Sequence, residues 1–375
     1  MDALMLPLNW QRVRLGDIGK PCMCKRVMKH QTTRYGEIPF YKIGTFGNTA
    51  DAFISKKLFL EYKTKYSFPK KGDILISASG TIGRAVIYDG KPAYFQDSNI
   101  VWIDNDETLV KNDFLFYAYS NVKWNTEHTT ILRLYNDNFR NTLIPLPPLN
   151  EQIAIANILS DVDHYLYTLD ALILKKESVK KALSFELLSQ RKRLKGFNQA
   201  WQKVRLGDIC EITTGSLDAN EMVHYGKYRF YTCAKEYYFI DKYAFDTEAI
   251  LISGNGAYVG YVHYYKGKFN AYQRTYVLDN FSEHIIFVKY FLTMFLQSHI
   301  QTNRNEGNTP YIVMATLKDF EILLPPLNEQ IAIANILSAL DKEIISLKNK
   351  KRQFDNIKKA LNHDLMSAKI RVLKK

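Results

Sequence analysis

The letters LPPLNEQIAIANILS stand at Leu146–Ser160 and again, unchanged, at Leu324–Ser338. Fifteen identical residues in a row lie far beyond chance, so the chain is a duplication and its fold must use one frame twice. Other landmarks recur in the same order. WQRVRLGDI at Trp10–Ile18 returns as WQKVRLGDI at Trp201–Ile209. GDILISASGTIG at 72–83 is echoed by EAILISGNGAYVG at 248–260, and a glutamine follows each, Gln96 and Gln273. Between the landmarks the halves differ, so the frame is shared and its inserts are not.

After each LPPL the hydrophobic period changes. Ile155, Leu159, Val162, Leu166, Leu169 and Ile173 step by four and three, which keeps one apolar stripe on one helix face. The second copy gives Ile333, Leu337, Leu340, Ile344 and Leu347, then Lys351 and Phe354. Pro147-Pro148 and Pro325-Pro326 cannot lie inside a helix, Asn150 or Asn328 suits the cap, and Gly196 suits the first stop. A helix from Glu151 to about Lys195 would run about 65 Å and expose leucines along its length unless matched. The chain supplies the match, so the simplest closed arrangement pairs the two helices antiparallel about a pseudo-twofold axis. Packing of each helix on its own domain, or pairing between two chains, are the alternatives.

The remaining segments, 1–149 and 196–327, read as α+β, with strand-like runs such as DILISA, NIVWID and YVGYVHYY between Gly-, Asn- and Lys-rich loops. A length of 375 residues allows two or three domains, and 46% hydrophobic with 24% charged residues excludes disorder over most of the chain. The division expected is 1–149, 150–195, 196–327 and 328–375. An excess of 51 Lys+Arg over 38 Asp+Glu, +13, points to an anionic partner, commonly nucleic acid. Residues 196–327 are near neutral yet hold 14 of the 25 tyrosines, so contacts there must rest on aromatic and amide groups. Cys22, Cys24, Cys210 and Cys233 fit no common zinc spacing and read as free thiols of a reducing cytosol. The opening MDALMLPLNW has no basic stretch leading into an apolar core and does not read as a signal peptide. HIIFVKYFLTMFLQ at 284–297 is too short for a bilayer and reads as a buried helix.

Two variable globular parts, each carrying ILIS, a glycine turn and a glutamine, and each closed by LPPLNEQ and a long helix, resemble the specificity subunit of type I restriction–modification systems. The resemblance covers essentially the whole chain. It implies an α+β fold with two globular target recognition domains, 1–149 and 196–327, joined by two long antiparallel coiled-coil spacer helices. It implies that each domain reads one half of a bipartite, asymmetric site on double-stranded DNA. It implies no catalysis and no cofactor on this chain. Two modification subunits would bring S-adenosylmethionine, two restriction subunits would bring ATP and magnesium, and the assembly would work in the cytoplasm, not at a membrane. The missing motifs agree with this: no NPPY-type methyltransferase box, no PD…ExK nuclease pattern and no Walker box are present. A structural coiled-coil adaptor whose globular ends bind proteins is the competing class, and an enzyme with an unrecognised site is a third.

Candidate DNA contacts follow from chemistry and position. Lys25, Arg26, Lys29, Arg34 and Tyr35 form a basic loop that is either an electrostatic footprint or a solvated surface. Ser79 and Thr81, with Asn255 and Tyr258, sit on glycine turns that either approach DNA or merely reverse a strand. Gln96 and Gln273 can contact adenine or satisfy a loop. Lys227, Tyr228, Arg229 and Tyr231, then Arg274 and Tyr276, alternate in strand fashion and can face a groove together. Thr130 and Arg133 precede the first helix as Arg304, Asn308, Thr309 and Tyr311 precede the second. The cationic runs Arg191–Arg193 and Lys348–Arg352 read as solvated faces that help hold phosphate, and Glu151-Gln152 and Glu329-Gln330 as carboxylates at positive helix ends.

Overall fold

The computed structural model describes residues 7–124, 133–302 and 310–372. The chain forms two compact units, residues 1–170 with 350–375, and residues 171–349. Each unit therefore takes one globular part, the start of the long helix that follows it and the last part of the other long helix.

The repeated WQ-VR segment forms a strand in both units because it closes the globular part on itself. Gln11–Arg14 runs antiparallel to Leu143–Leu146, with Val13 opposite Ile144. Gln202–Arg205 runs antiparallel to Glu321–Leu324, with Val204 opposite Ile322. The strand that leads into LPPL is thus held by the first strand of its own repeat. Strands and helices mix in both units, as an α+β chain requires.

The sheets differ in a way the sequence explains. The first unit has a four-stranded sheet ordered Gly19–Met23, Ile100–Asn105, Ile74–Ser77, Ala85–Ile87, and a three-stranded sheet ordered Phe53–Ile54, Ile38–Tyr41, Tyr94–Phe95. The second unit has one six-stranded sheet, Glu211–Thr214, Thr275–Asp279, Phe245–Ser253, Val262–Ala271, Tyr228–Tyr231, Tyr238–Ile240. There the ten-residue strand Val262–Ala271 pairs antiparallel with Phe245–Ser253 and parallel with Tyr228–Tyr231. In the first unit Ala85–Ile87 and Tyr94–Phe95 share that work, because the chain leaves the sheet between them. Gly90 at φ +85° turns it, and Pro92 has no N–H for a ladder. The apolar run at 284–297 lies in the helix Ile285–Thr302, with Phe287 and Val288 fully buried, as expected of a core helix. Among the described residues no helix is long and apolar enough to cross a membrane, and no group of His, Cys, Asp and Glu could hold a metal. The four cysteines are free thiols, and burial pushes Cys24 and Cys210 up to about 12.

The long helices span Leu149–Leu188 and Leu327–Met366, 40 residues each, about 60 Å at 1.5 Å per residue. Ile155, Leu159, Leu166, Leu169 and Ile173 are buried on the first, and Ile333, Leu337 and Ile344 on the second; Val162, Leu340 and Leu347 are half-buried. In the first unit Asp163 pairs with Lys358 and Asp170 with Lys351, at 2.9 Å for the second, so one index rises as the other falls. The helix segments there run antiparallel. In the second unit Glu177 pairs with Lys348 at 2.6 Å and Lys180 pairs with Asp341, with the same result. Lys351, where the second stripe turns polar, is thus answered by a carboxylate. In the run Lys348–Arg352, Lys348, Lys350 and Arg352 are exposed, as expected of a solvated face; Lys348 and Lys351 are also ion-paired, and Lys350 lies 5.4 Å from the Tyr165 ring centroid.

One of these aspartates in each unit also accepts a hydroxyl from its own globular part. Tyr117 donates to Asp163 at 2.8 Å in the first unit, and Tyr290 to Asp341 at 2.6 Å in the second. Burial alone would raise the Asp341 carboxyl, but hydrogen bonds from Lys180 and Tyr290 outweigh it and hold it below the ordinary carboxylate range. Its depressed value means it stabilises the fold above that range and loses this contribution as pH falls through it.

The Glu-Gln pairs are buried clamps, more than the dipole-facing carboxylates expected from sequence. Glu151, Gln152, Glu329 and Gln330 are 2%, 1%, 0% and 1% exposed. Glu151 accepts the Trp10 indole N–H at 3.0 Å and a bidentate fork from Arg371 at 2.6 and 2.8 Å. Glu329 accepts Trp201 at 3.1 Å and the Arg193 fork at 3.2 and 2.5 Å. Gln152 accepts the Lys111 N–H and donates to Leu109 O and Pro147 O; Gln330 accepts the His284 N–H and donates to Pro325 O and Glu283. Arg193 is therefore committed to a carboxylate, while Arg191 and Lys192 are exposed and Arg191 lies over the Phe185 ring at 4.9 Å.

Three helix boundaries differ from expectation. Each helix starts at a leucine, Leu149 or Leu327, one residue before the asparagine expected as its cap, and the Pro148 or Pro326 carbonyl accepts the first N–H groups. The first ends at Leu188, well before Gly196, because Gln190 adopts φ +62° and the Lys192 N–H turns back to Glu186 O. Ala368 at φ +56° and the Ile370 N–H to Asp364 O end the second identically. A glycine search misses both stops, since neither uses one.

Replacing Glu329 with alanine removes the shared acceptor of Trp201 and Arg193. The expected loss is about 3 kcal/mol, low for breaking a buried pair because Arg193 remains 25% exposed. Thermal melting measures it, and an unchanged midpoint contradicts the clamp.

Candidate nucleic-acid interface

In the first unit the strand Ile74–Ser77 runs into a turn closed by the Gly83 N–H on Ser77 O at 2.9 Å. Gly80 and Gly83 take φ +66° and +84°, and a Cβ at Gly83 would lie 2.1 Å from the Trp124 indole nitrogen, so glycine is required there. An isolated bridge joins Ser79 to Arg133, which places that arginine beside the turn. Ser79 itself is 5% exposed and donates to Asn99 Oδ1 at 2.8 Å, so it supports the turn from beneath. Thr81 is exposed on the turn.

The parallel pair Ile38–Tyr41 and Tyr94–Phe95 delivers Lys42 and Gln96 to the same place. The Gln96 backbone N–H donates to Tyr41 O, and its side-chain oxygen accepts the Ile43 N–H, both at 2.9 Å, so the glutamine braces the loop. Asp97, Ser98 and Asn99 follow, with Ser98 at φ +59°, a conformation a non-glycine residue rarely adopts. Here an open cleft of about 590 Å³ is lined by Arg26, Lys29, Lys42, Gln96, Asp97, Ser98, Asn99 and Arg133. Four cations and one carboxylate, Asp97, line it; Arg26 Nε meets that carboxylate at 2.8 Å, and Lys42 pairs with Asp51 just outside the lining, also at 2.8 Å. Of the residues singled out from sequence, Arg26, Lys29, Gln96 and Arg133 come together. Lys25 instead lies over the Tyr66 ring at 5.1 Å, while Arg34 and Tyr35 are exposed on a turn that does not line the cleft. Lys42, Asp97, Ser98 and Asn99 were missed, because their signal is the strand pairing that brings residues 42 and 97 together.

The second unit builds the matching turn one residue longer. The Gly260 N–H returns to Ser253 O at 2.7 Å, and Gly256 and Gly260 take φ +79° and +78°, so GAYVG keeps both special glycine positions of GTIG. Asn255 bridges to Tyr311 as Ser79 does to Arg133. Tyr258 is exposed on the turn with the Lys235 ammonium 5.2 Å from its ring centroid. Gly254 N–H donates to Arg274 O, Cys233 Sγ to the same carbonyl, and Gln273 and Arg274 stand exposed alongside. Asn255, Tyr258, Gln273, Arg274 and Tyr311 thus share one edge.

Other expected contacts of this unit lie elsewhere. Tyr276 is 9% exposed and donates to Ile312 O at 3.0 Å, and Tyr231 is 2% exposed, so both belong to the core. Arg229 is stacked between Tyr237 and Tyr265, 4.2 and 4.5 Å from their centroids. Lys227 and Tyr228 lie at the start of that strand, away from the edge at its end, and Tyr228 packs on Tyr243. Gln273 is not the counterpart of Gln96: Tyr231 O accepts the Tyr272 N–H where Tyr41 O accepts that of Gln96, so Gln273 stands one residue further on. Thr130, Arg304, Asn308 and Thr309 lie outside the described residues.

The comparisons agree with this duplicated build. A family model described as the type I restriction modification DNA specificity domain matches residues 7–176 and again 198–354. A Haemophilus influenzae putative type I restriction enzyme specificity subunit is 64% identical over 148 residues, 39% of this chain and 38% of that protein. The Escherichia coli EcoDI specificity subunit is 38% identical over 170 residues, 44% of this chain and 37% of that protein. The chain thus spans less than two-fifths of the length of these two relatives, whereas the match to the Methanocaldococcus jannaschii MjaVIII specificity subunit, 26% identical, covers 99% of this chain and 95% of that one. In fold it is similar to the S subunit of a type I restriction–modification system from M. genitalium, with TM-score 0.67 at 19% identity over 97% of this chain and 98% of that one. The chain belongs to the type I restriction modification DNA specificity domain family and carries that domain twice.

Proposed function

We propose that this chain is the DNA-reading subunit of a type I restriction–modification complex, recognising a bipartite, asymmetric sequence on double-stranded DNA with one half-site per globular part. It carries out no catalysis. It positions two modification subunits, which hold S-adenosylmethionine, and two restriction subunits, which hold ATP and magnesium, and it works in the cytoplasm. The observation that carries this reading is one frame holding two unlike polar edges. The first is a cationic cleft around Arg26, Lys29, Lys42 and Arg133; the second is an edge of Asn255, Tyr258, Gln273, Arg274 and Tyr311 with fewer charges. Equal frames keep the placement, and unequal edges change the letters. Lysines of the first cleft suit phosphate, and arginine and amide groups suit base edges in the major groove.

Exchanging residues 196–327 for the equivalent insert of another family member is expected to change one half of the methylated sequence and leave the other half intact. Methylome sequencing of a host with each version reads this directly; a change in both halves contradicts independent readers. Adding one heptad to each long helix is expected to lengthen the unread spacer with the letters of both halves unchanged. Altered letters on the same readout would show that the helices do more than set spacing.

A further inference from the structure

Arginine and lysine in a DNA-facing cleft do different work, and their surroundings tell them apart. A lysine ammonium is a hydrated point charge that suits a phosphate from many angles. A guanidinium held in one orientation presents a planar fork that matches the O6 and N7 acceptors of guanine. Arg26 is held this way. Its Nε donates to Asp97 Oδ2 at 2.8 Å, with the arginine side chain 66% exposed and the aspartate 14%. Engaging Nε leaves Nη1 and Nη2 as a pair of donors for a further partner.

The aspartate is itself fixed. It sits in a closed turn in which the Asn99 N–H returns to Asp97 O at 2.7 Å and the Ile100 N–H to Gln96 O at 3.1 Å. Ser98, at φ +59°, donates to the same carboxylate oxygen at 3.3 Å. A left-handed serine persists only where its surroundings hold it, and such residues cluster at functional sites. The charge argument points the same way. An arginine already answered by a carboxylate attracts a phosphate weakly, whereas its hydrogen bonds to a neutral base edge are kept. Orienting the fork beforehand also removes part of the ordering cost of binding.

We infer that Arg26 reads a guanine in the half-site of the first globular part, and that Asp97 is the positioning residue that aims it. This rests on the DNA-reading function proposed above. The test uses the full chain co-expressed with modification subunits, and measures adenine methylation on duplexes in which each position of the recognised sequence is varied in turn. Wild type is expected to require guanine at one position of one half-site. R26K should cut the preference there by about tenfold or more, since lysine cannot make the bidentate contact. D97N should weaken the same position, and the double variant should lose no more than R26K alone. The letters of the other half-site are the internal control, because their retention reports a folded, assembled complex. Loss spread evenly over all positions would make Arg26 a phosphate contact, and loss at an A·T position would rule out guanine; either overturns the inference and leaves the DNA-reading function intact. Additive effects of the two substitutions would remove Asp97 from the account. Absence of any split methylated sequence in wild type would overturn the proposed function, and this inference with it.

Discussion

A buried carboxylate must be answered, and that requirement organises this protein twice. Glu151 and Glu329 are almost wholly withdrawn from water, where an unpaired charge would cost several kcal/mol. Each is answered by an indole and a guanidinium from different parts of the sequence: Trp10 and Arg371 for one, Trp201 and Arg193 for the other. Three segments meet at each glutamate: the first strand of the repeat, the start of its long helix and the residues just past the end of the other helix. The neighbouring glutamine then ties the helix start to the residue before a helix of the globular part, Lys111 before Asn112–Tyr119 or His284 before Ile285–Thr302. The fifteen-letter motif is therefore a junction in which the glutamate and the glutamine have fixed partners in both copies, and this is a physical reason for those letters to recur unchanged.

What hangs on the junction is free to differ. The second unit threads one ten-residue strand through both halves of its sheet, and the first breaks that strand with a glycine and a proline and forms two sheets. The turn after ILIS is one residue longer in the second unit, yet keeps a positive-φ glycine at both ends. Its exposed residue changes from Thr81 to Tyr258, its bridged residue from Ser79 to Asn255, and the neighbour it bridges from Arg133 to Tyr311. The first edge offers charge and the second offers rings and amides, on equivalent backbone supports.

The frame was legible because it is periodic and duplicated. Leucine and isoleucine at alternating steps of three and four admit one helix face, and a second stripe of equal length names its partner. Helix ends were less legible, since Gln190 and Ala368 take the left-handed turn usually marked by glycine. The cationic run of the second helix was legible as an exposed face but not in its pairing, since the carboxylates that Lys348 and Lys351 meet on the other helix lie far away in the sequence. At the candidate site, sequence found the glycine turns and part of the basic loop. It could not find Lys42, Asp97 or Asn99, which reach the cleft through strand pairing between distant segments. It also placed Tyr231 and Tyr276 outside when both are core, because alternation identifies a face without saying which face is covered.

The most direct measurement of the junction's role is amide hydrogen exchange on the full chain carrying Glu151→Gln. If the carboxylate ties strand and helix together, residues 10–18 and 150–160 should exchange faster in concert, with 201–209 and 328–338 as protected as before. Unchanged exchange at 10–18 and 150–160, or equal loosening around both glutamates, would contradict a pair of separate clamps.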